Sequence, residues 1–221
     1  TITQPLVALA DASERLGGGD LDVALPPAKS NDEVGSLIRS FQLMQTRLKG
    51  YIARVEQETA TRNRLQGELD AAHQIQMEML PQQGEAFLEG PGYSIWARLL
   101  PAKAVGGDLY TWLSVDRRNL LMVVGDVSDK GVPAALFMAR TITLLQEYAI
   151  TSHEPGDILH RLNHSLAEHN DTCMFATLFC GLLDPQLGVL HFASGGHTAP
   201  MLLRDGQAAP IAQEHGPALG V

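Results

Sequence analysis

An apolar seam between Val34 and Met79 restricts this chain more than any other feature. Val34, Leu37, Phe41, Met44, Leu48, Tyr51 and Val55 follow one another at alternating spacings of three and four, the period that keeps one face of an α-helix apolar. The register runs on through Glu58, Arg62, Leu65, Leu69, Ala72, Gln76 and Met79, with polar residues at 58, 62 and 76. A helix from about 32 to 80 would be roughly 70 Å long at about 1.5 Å per residue. No single small domain buries such a helix. The seam therefore calls for a partner helix, most simply that of a second copy in a parallel homodimer. Glu58 and Arg62 have two readings, a weakened zone that lets the coil change register or tolerated surface imperfections.

Ahead of the seam, Ile2, Leu6, Leu9, Ser13 and Leu16 recur at the same spacing, with Ser13 the weak member, and Gly17-Gly18-Gly19 ends that helix. In the connector that follows, Leu21, Val23 and Leu25 alternate as in an extended strip, and Pro26-Pro27 excludes helix. Asn31 or Asp32 is placed to cap the seam helix. Two helices, an extended connector and Asp32-Glu33-Val34-Gly35 at the head of the second resemble the HAMP signal-relay domain, and Pro5 and Gly19-Asp20-Leu21 fit the same pattern. The resemblance covers about residues 1–52, with an ordinary dimeric coiled coil as the alternative. HAMP domains normally follow a transmembrane helix. The resemblance thus implies the cytoplasmic portion of a bacterial inner-membrane receptor, and the abrupt start at Thr1 reads as a piece of something longer.

Of the 221 residues, 45% are hydrophobic and 19% charged, a globular composition with room for one to two domains. The net charge of -9 argues against a nucleic-acid partner, because phosphate backbones are met by Lys and Arg clusters. No apolar run approaches the roughly 20 residues of a membrane span, and no signal peptide is visible. Cys173 and Cys180 fall on opposite faces of any strand that carries both. They are expected to be reduced and buried, as in a cytosolic protein.

Chemistry concentrates between Ala104 and Ala135. Residues 109–115 (LYTWLSV) and 120–127 (LLMVVGDV) read as two strands around the polar turn Asp116-Arg117-Arg118-Asn119. Asp108 opens the first strand and Asp126 closes the second, so the hairpin brings both carboxylates to one end. If Asp108 stands opposite Asp126 they share a face, whereas a slip of one residue turns one of them over. Paired carboxylates repel unless something positive sits between them, and a hard divalent cation held by oxygens answers that need. Gly106-Gly107 and Gly125 would let the backbone approach closely beside them. The plainer reading is that the two aspartates cap a hairpin and a helix.

Around this hairpin the expected elements are a strand at 93–100, a helix over 132–151 and a second helix from Pro155. The first helix would bury Leu136, Phe137, Ile142, Leu144, Leu145 and Tyr148, capped by Ser128 or Asp129. The second would bury Ile158, Leu159, Leu162 and Leu166. Hairpins follow at 174–183 with 188–193 and at 200–203 with 207–211, the latter around Asp205-Gly206. The fold class is α+β, with a coiled-coil N-terminal part, then sheet packed on sheet and helices outside. Ahead of these elements the seam helix ends in AAHQIQMEMLPQQG, where Pro81 stops it.

Gly106-Gly107-Asp108-Leu109-Tyr110, then GDVSDKGVPAALFMA from Gly125, then ASGGHTAPMLL from Ala193 resemble the metal-dependent serine/threonine phosphatases of the PPM family, in the bacterial branch typified by SpoIIE. The resemblance covers about residues 73–221. It implies an α-β-β-α sandwich and a division into 1–52 HAMP, 53–80 coiled-coil linker helix and 81–221 partial phosphatase domain. It implies that Asp108 binds one metal, that Asp126 bridges two, and that the Val127 carbonyl completes a site for two Mn²⁺ or Mg²⁺ ions. Two such ions about 3.5 to 4 Å apart activate a water for in-line attack on phosphorus, so no protein nucleophile is needed. The implied substrate is a phosphorylated signalling protein such as an anti-sigma-factor antagonist. The segment around Met77, Met79 and Leu80 corresponds to a regulatory linker, or is plain core packing.

The match has departures. Thr111 stands where relatives often carry Asp, and Asp129 replaces a usual glycine, as a cap or a water-mediated metal contact. The family's two later metal carboxylates lie beyond the stretch matched by Gly220-Val221, which implies a C-terminally truncated domain that is inactive or badly impaired. His73, His153, His160, His164 and His169 are expected to be solvated. His197 is expected to be structural or near the site without being a ligand, and Asn163 to anchor local hydrogen bonds. A rival of another class is a pseudo-phosphatase that docks a partner and relays HAMP motion. A diguanylate cyclase, suggested by the GGD run, fails because Leu109 replaces its acidic residue and DVSDKGVPAA has no place in that fold.

Overall fold

The computed structural model describes residues 3–101, 103–116, 118–211 and 216–221, with backbone alone at 83 and 84. The expected positions Ile2 and Arg117 lie outside the described residues. The chain divides into two compact units, Thr1–Gly67 and Glu68–Val221.

In the first unit, helix α1 (Thr3–Gly17) is followed by the connector and by the start of α2 (Glu33–Glu78), a helix that supplies residues to both units. Asp32, not Asn31, caps α2: its Oδ1 accepts the Gly35 N–H at 2.9 Å. The connector alternates as expected, with Val23 buried against Ala12 and Leu16 and with Leu21, Leu25 and Leu48 packed on them. An extended strip leaves its carbonyls unpaired, and α2 answers them with glutamines. Gln45 Nε2 donates to Leu21 O at 2.9 Å and Val23 O at 2.7 Å, and Gln42 Nε2 donates to Pro26 O at 3.2 Å. The inner face of α1 is Leu9, Ala12 and Leu16, while Ser13 is exposed and Leu6 is 40% exposed. The expected α1 seam is thus corrected at 13, where Ala12 takes the buried place one residue earlier. Along α2 the buried face is centred on Ile38. Leu37, Met44, Tyr51 and Val55 of the seam remain exposed in the single chain.

The second unit opens with the last turns of α2, whose Leu80 is 3% exposed beyond the helix end. A 3₁₀ turn (Pro81–Gly84) leads to β1 (Glu85–Gly90), which pairs with β2 (Tyr93–Arg98). Strand β1 was not expected from the sequence, because only Ala86 among its residues is fully buried. The main sheet is antiparallel in the order β3 (Leu109–Ser114), β4 (Leu120–Val127), β5 (Ala176–Asp184), β6 (Val189–Gly195). Strands β7 (Met201–Arg204) and β8 (Gln207–Pro210) form a separate ribbon around Asp205-Gly206. Both turn residues have positive φ.

Helices α3 (Val132–Thr151) and α4 (Pro155–Ala167) pack on the main sheet, α3 over β3 and β4 and α4 over β5 and β6. The core is built from Leu121, Val123, Met138, Ile142, Leu145, Ile158, Leu162 and Leu178, together with Ala86 of β1. Leu136 departs from expectation, lying 67% exposed one residue off the buried face of α3. The helix cap also differs. Gly131 holds the N-cap position without a side-chain bond. Ser128 Oγ instead accepts the Phe175 N–H at 3.0 Å, and Asp129 Oδ1 accepts the Lys130 N–H at 3.1 Å. The fold is α+β.

Candidate metal centre

The turn between β3 and β4 sets the geometry of the site. Asp116 Oδ1 accepts the Arg118 and Asn119 N–H groups, each at 2.6 Å, and Oδ2 accepts Asn119 Nδ2 at 2.7 Å. Closed this way, the hairpin pairs Leu109 with Gly125 and Tyr110 with Val124. The next step outward sets Asp108 beside Asp126. That register answers the question the sequence left open: both carboxylates lie on one face, and both residues are exposed.

Two neighbours let the backbone close in. A Cβ at Gly107 would lie 2.7 Å from the Val127 carbonyl oxygen and 2.8 Å from the Val127 Cβ, so the loop before Asp108 rests directly on that residue. A Cβ at Gly125 would lie 2.7 Å from Thr177 O, where β5 runs alongside. Both approaches need glycine. Although the residue is exposed overall, partial withdrawal of the Asp108 carboxyl from water pushes it above the usual aspartate value, and the charge and hydrogen bonding of Asp126 push it further. The pair holds unresolved like charge.

A cavity of about 270 Å³ opens over these groups, lined by Asp108, Asp126, Asp129, Lys103, Lys130 and Gln76 among others. Asp129 adopts φ 74°, a left-handed conformation that favours glycine. Thr111 is 3% exposed within β3 and contributes no charge. On the far side, Thr177 pairs with Asp126 in the sheet, and its Oγ1 lies 3.0 Å from His197 Nδ1. Burial lowers the His197 pKa, opposed by the nearby Asp126 charge and the Thr177 bond. His197 thus sits near the site, as expected.

The donors fit a hard divalent cation. They are two adjacent carboxylates and a main-chain carbonyl against which nothing larger than glycine can stand, all oxygen. Among the described residues no cluster of three or more His, Cys, Asp or Glu side chains is close enough to hold an ion by itself.

Other sequence expectations sort cleanly. Asn163 Oδ1 accepts the Gly220 N–H at 2.7 Å, the local anchor expected of it. Asn170 was missed: its Nδ2 donates to Gly220 O at 2.7 Å and to Met174 O at 2.6 Å. Cys180 is buried, which pushes its thiol up to about 12, whereas Cys173 is exposed and lies outside the strand. The expectation that both are buried is corrected, because β5 begins only at Ala176. His73 is also corrected: it is half-buried, with Nδ1 shielded and without a hydrogen-bond partner among the described residues. Gln76, read only as a polar break in the seam, is 5% exposed and bonded to Gly106.

Residues 116–221 match the family described as Stage II sporulation protein E (SpoIIE), and residues 1–50 match the HAMP domain. Protein IcfG of Synechocystis sp. is 32% identical over 252 residues, covering 99% of this chain and 38% of that protein. Phosphoserine phosphatase RsbU of Bacillus subtilis is 28% identical over 133 residues, covering 60% of this chain and 38% of that protein. The chain thus spans 38% of the length of either relative. In fold it is similar to the SiaA-PP2C domain of Pseudomonas aeruginosa, with a TM-score of 0.56 and 22% identity over 73% of this chain and 65% of that one. Two family matches thus follow one another along the chain, one to the HAMP domain and one to the SpoIIE family.

Proposed function

We propose that the chain belongs to a signalling protein phosphatase that hydrolyses phosphoserine or phosphothreonine on a partner protein with the help of Mn²⁺ or Mg²⁺. The observation that carries this reading is the β3–β4 register, which sets Asp108 beside Asp126 next to the Val127 carbonyl. Those three would hold the cation. When bound, divalent ions at such a site lower the pKa of a coordinated water and neutralise phosphoryl oxygens. The protein's own part is to fix the two carboxylates on one face, to leave room through Gly107 and Gly125, and to add cationic Lys103 and Lys130 to the rim, where they suit a phosphoryl group. Asp129 lines the same cavity and is placed to act through water.

The similarity to RsbU, named as a phosphoserine phosphatase, supports the substrate class. An anti-sigma-factor antagonist or a similar small signalling protein is the proposed substrate. The HAMP match supports control from residues 1–52 through a linker helix at 53–80 onto a phosphatase domain at 81–221, in a receptor of the bacterial inner membrane. No helix among the described residues is long and apolar enough to cross a membrane. A homodimer is supported by the exposed stripe Leu37, Met44, Tyr51 and Val55.

A phosphoserine peptide and Mn²⁺, offered to this chain and to a form supplied with the family's two further carboxylates, test the reading. The form that carries them should release phosphate, and Asp126→Asn in it should abolish release. Metal uptake without hydrolysis in that form would refute catalysis. It would favour the docking-module reading, to which the two-carboxylate site of the described residues lends support.

A further inference from the structure

The sheet face that carries Asp126 bears a second polar pair beside it, on β5 and just beyond β6. Thr177 stands directly opposite Asp126, and directly paired residues of antiparallel strands point to the same face. The Thr177 hydroxyl therefore lies on the side of the carboxylates. Thr177 and His197 are both half-buried. A polar group withdrawn from water costs free energy unless it is bonded, so packing alone would favour apolar side chains at both positions.

The bonding has a direction. Thr177 Oγ1 lies 3.4 Å from Asp126 O and 3.0 Å from His197 Nδ1. A hydroxyl has one proton and a carbonyl only accepts, so the hydroxyl donates to Asp126 O and its oxygen accepts Nδ1–H from the imidazole. His197 is itself held. Gly196, with φ 68°, turns the chain out of β6, and a Cβ there would lie 2.9 Å from Ala218 N. Ser194 Oγ donates to His197 O at 3.3 Å. The aim of the Thr177 hydroxyl is thus set by a confined turn as well as by its own strand.

Asp126 stands where the ladder gives out. Beyond Val127, the Ser128 N–H still donates to Phe175 O at 2.8 Å, but the Phe175 N–H goes to the Ser128 side chain instead of its carbonyl. On the other side, pairing with β3 reaches only as far as Gly125. Support for the end of β4 has to come from side chains.

We propose that His197 and Thr177 act together as positioning residues for the cation site: the imidazole aims the Thr177 hydroxyl at Asp126 O, which fixes the Asp126 carboxylate beside Asp108. This inference rests on the metal reading above. Groups that orient a metal ligand from behind change metal affinity by about 10- to 100-fold when removed.

Mn²⁺ binding to the chain, read as loss of the free-ion electron paramagnetic resonance signal, tests it without recourse to activity. Thr177→Val keeps the shape and removes the hydroxyl; its Mn²⁺ Kd should rise about tenfold while the melting temperature holds. Thr177→Ser keeps the hydroxyl and loses a methyl; its Kd should stay within about twofold of the parent while the melting temperature falls. A Thr177 that only packs gives the reverse order, with serine weakening the site and valine sparing it, and that result overturns the proposal. His197→Leu should raise the Kd as Thr177→Val does, and the double variant should add no more than about twofold to either. Effects that multiply in the double variant would show two independent residues and would also overturn it. Should Thr177→Val not fold, Thr177→Ala set against Thr177→Ser decides in the same way. A parent chain that takes up no Mn²⁺ refutes the metal reading and this inference together. That result is distinct from variants that bind as well as a binding parent.

Discussion

Gly106 and Gly107 are adjacent glycines with opposite surroundings, and replacing each by alanine gives a sharp test of how the site is packed. At Gly107 the added Cβ would lie 2.7 Å from Val127 O, 2.8 Å from Val127 Cβ and 3.2 Å from Val127 Cα. Two of those atoms are backbone and the third is fixed to it, inside a strand paired on both sides. Relief must come from moving the loop or the strand, and forcing an extra methyl into packed surroundings costs about 1 to 3 kcal/mol. At Gly106 a Cβ would meet nothing within 4 Å. Alanine there restricts the unfolded chain and should be neutral or stabilising by up to about 1 kcal/mol. For a unit of this size, about 1 kcal/mol moves the melting temperature by roughly 2 to 4 °C. Gly107→Ala should therefore melt several degrees below the parent and Gly106→Ala at or above it, followed by circular dichroism and urea unfolding. Equal stability of the two variants, within about 0.5 kcal/mol, would refute the close approach of the loop to Val127.

The raised pKa of Asp108 gives a pH dependence with a definite sign. A carboxyl that holds its proton more tightly folded than unfolded contributes stability below the ordinary aspartate pKa and loses it as pH rises through the folded value. Without metal, the parent should lose stability relative to Asp126→Asn as pH climbs above the ordinary aspartate pKa; urea midpoints in parallel check this, and identical pH profiles would sink it. Asp116→Ala should lower the melting temperature by freeing two backbone N–H groups and the Asn119 side chain at the hairpin turn. In the native chain a thiol reagent should titrate Cys173 alone, and a second thiol should react only on unfolding, because Cys180 is buried. Placing Glu at Met44 or Tyr51, both exposed in the single chain, should dissociate the proposed homodimer in light scattering; an unchanged mass would remove that stripe as the interface.

What could be read in the chain followed from local rules. The helix over 132–151, the helix from Pro155 and the hairpins around Asp116 and Asp184 rest on apolar period, proline and turn chemistry, and the structure has them at Val132–Thr151, Pro155–Ala167 and the β3–β4 and β5–β6 turns. Three of the mistakes have one cause in common. Leu136, Ser13 and the cap of α3 each lie one or a few residues from the position that is used. Periodicity gives the width of an apolar face but not which edge meets a neighbour. β1 escaped notice because only Ala86 in it is fully buried, and strand pairing there is carried by the backbone of β2.

The sequence by itself determined that two aspartates flank a hairpin, that glycines accompany them, and that a long heptad seam precedes them. Residue identity and short-range spacing are properties of the chain alone. Tertiary structure alone decided that Asp108 and Asp126 share a face, because a register is fixed by pairing and a slip of one residue would have separated them. It also decided the meaning of Gln76. Position 76 lies thirty residues before Gly106, and no periodicity connects an amide on a helix to a backbone carbonyl so far along the chain. Only the packing of α2's last turn against that loop brings them together, since a buried amide must find its partners wherever the fold has put them.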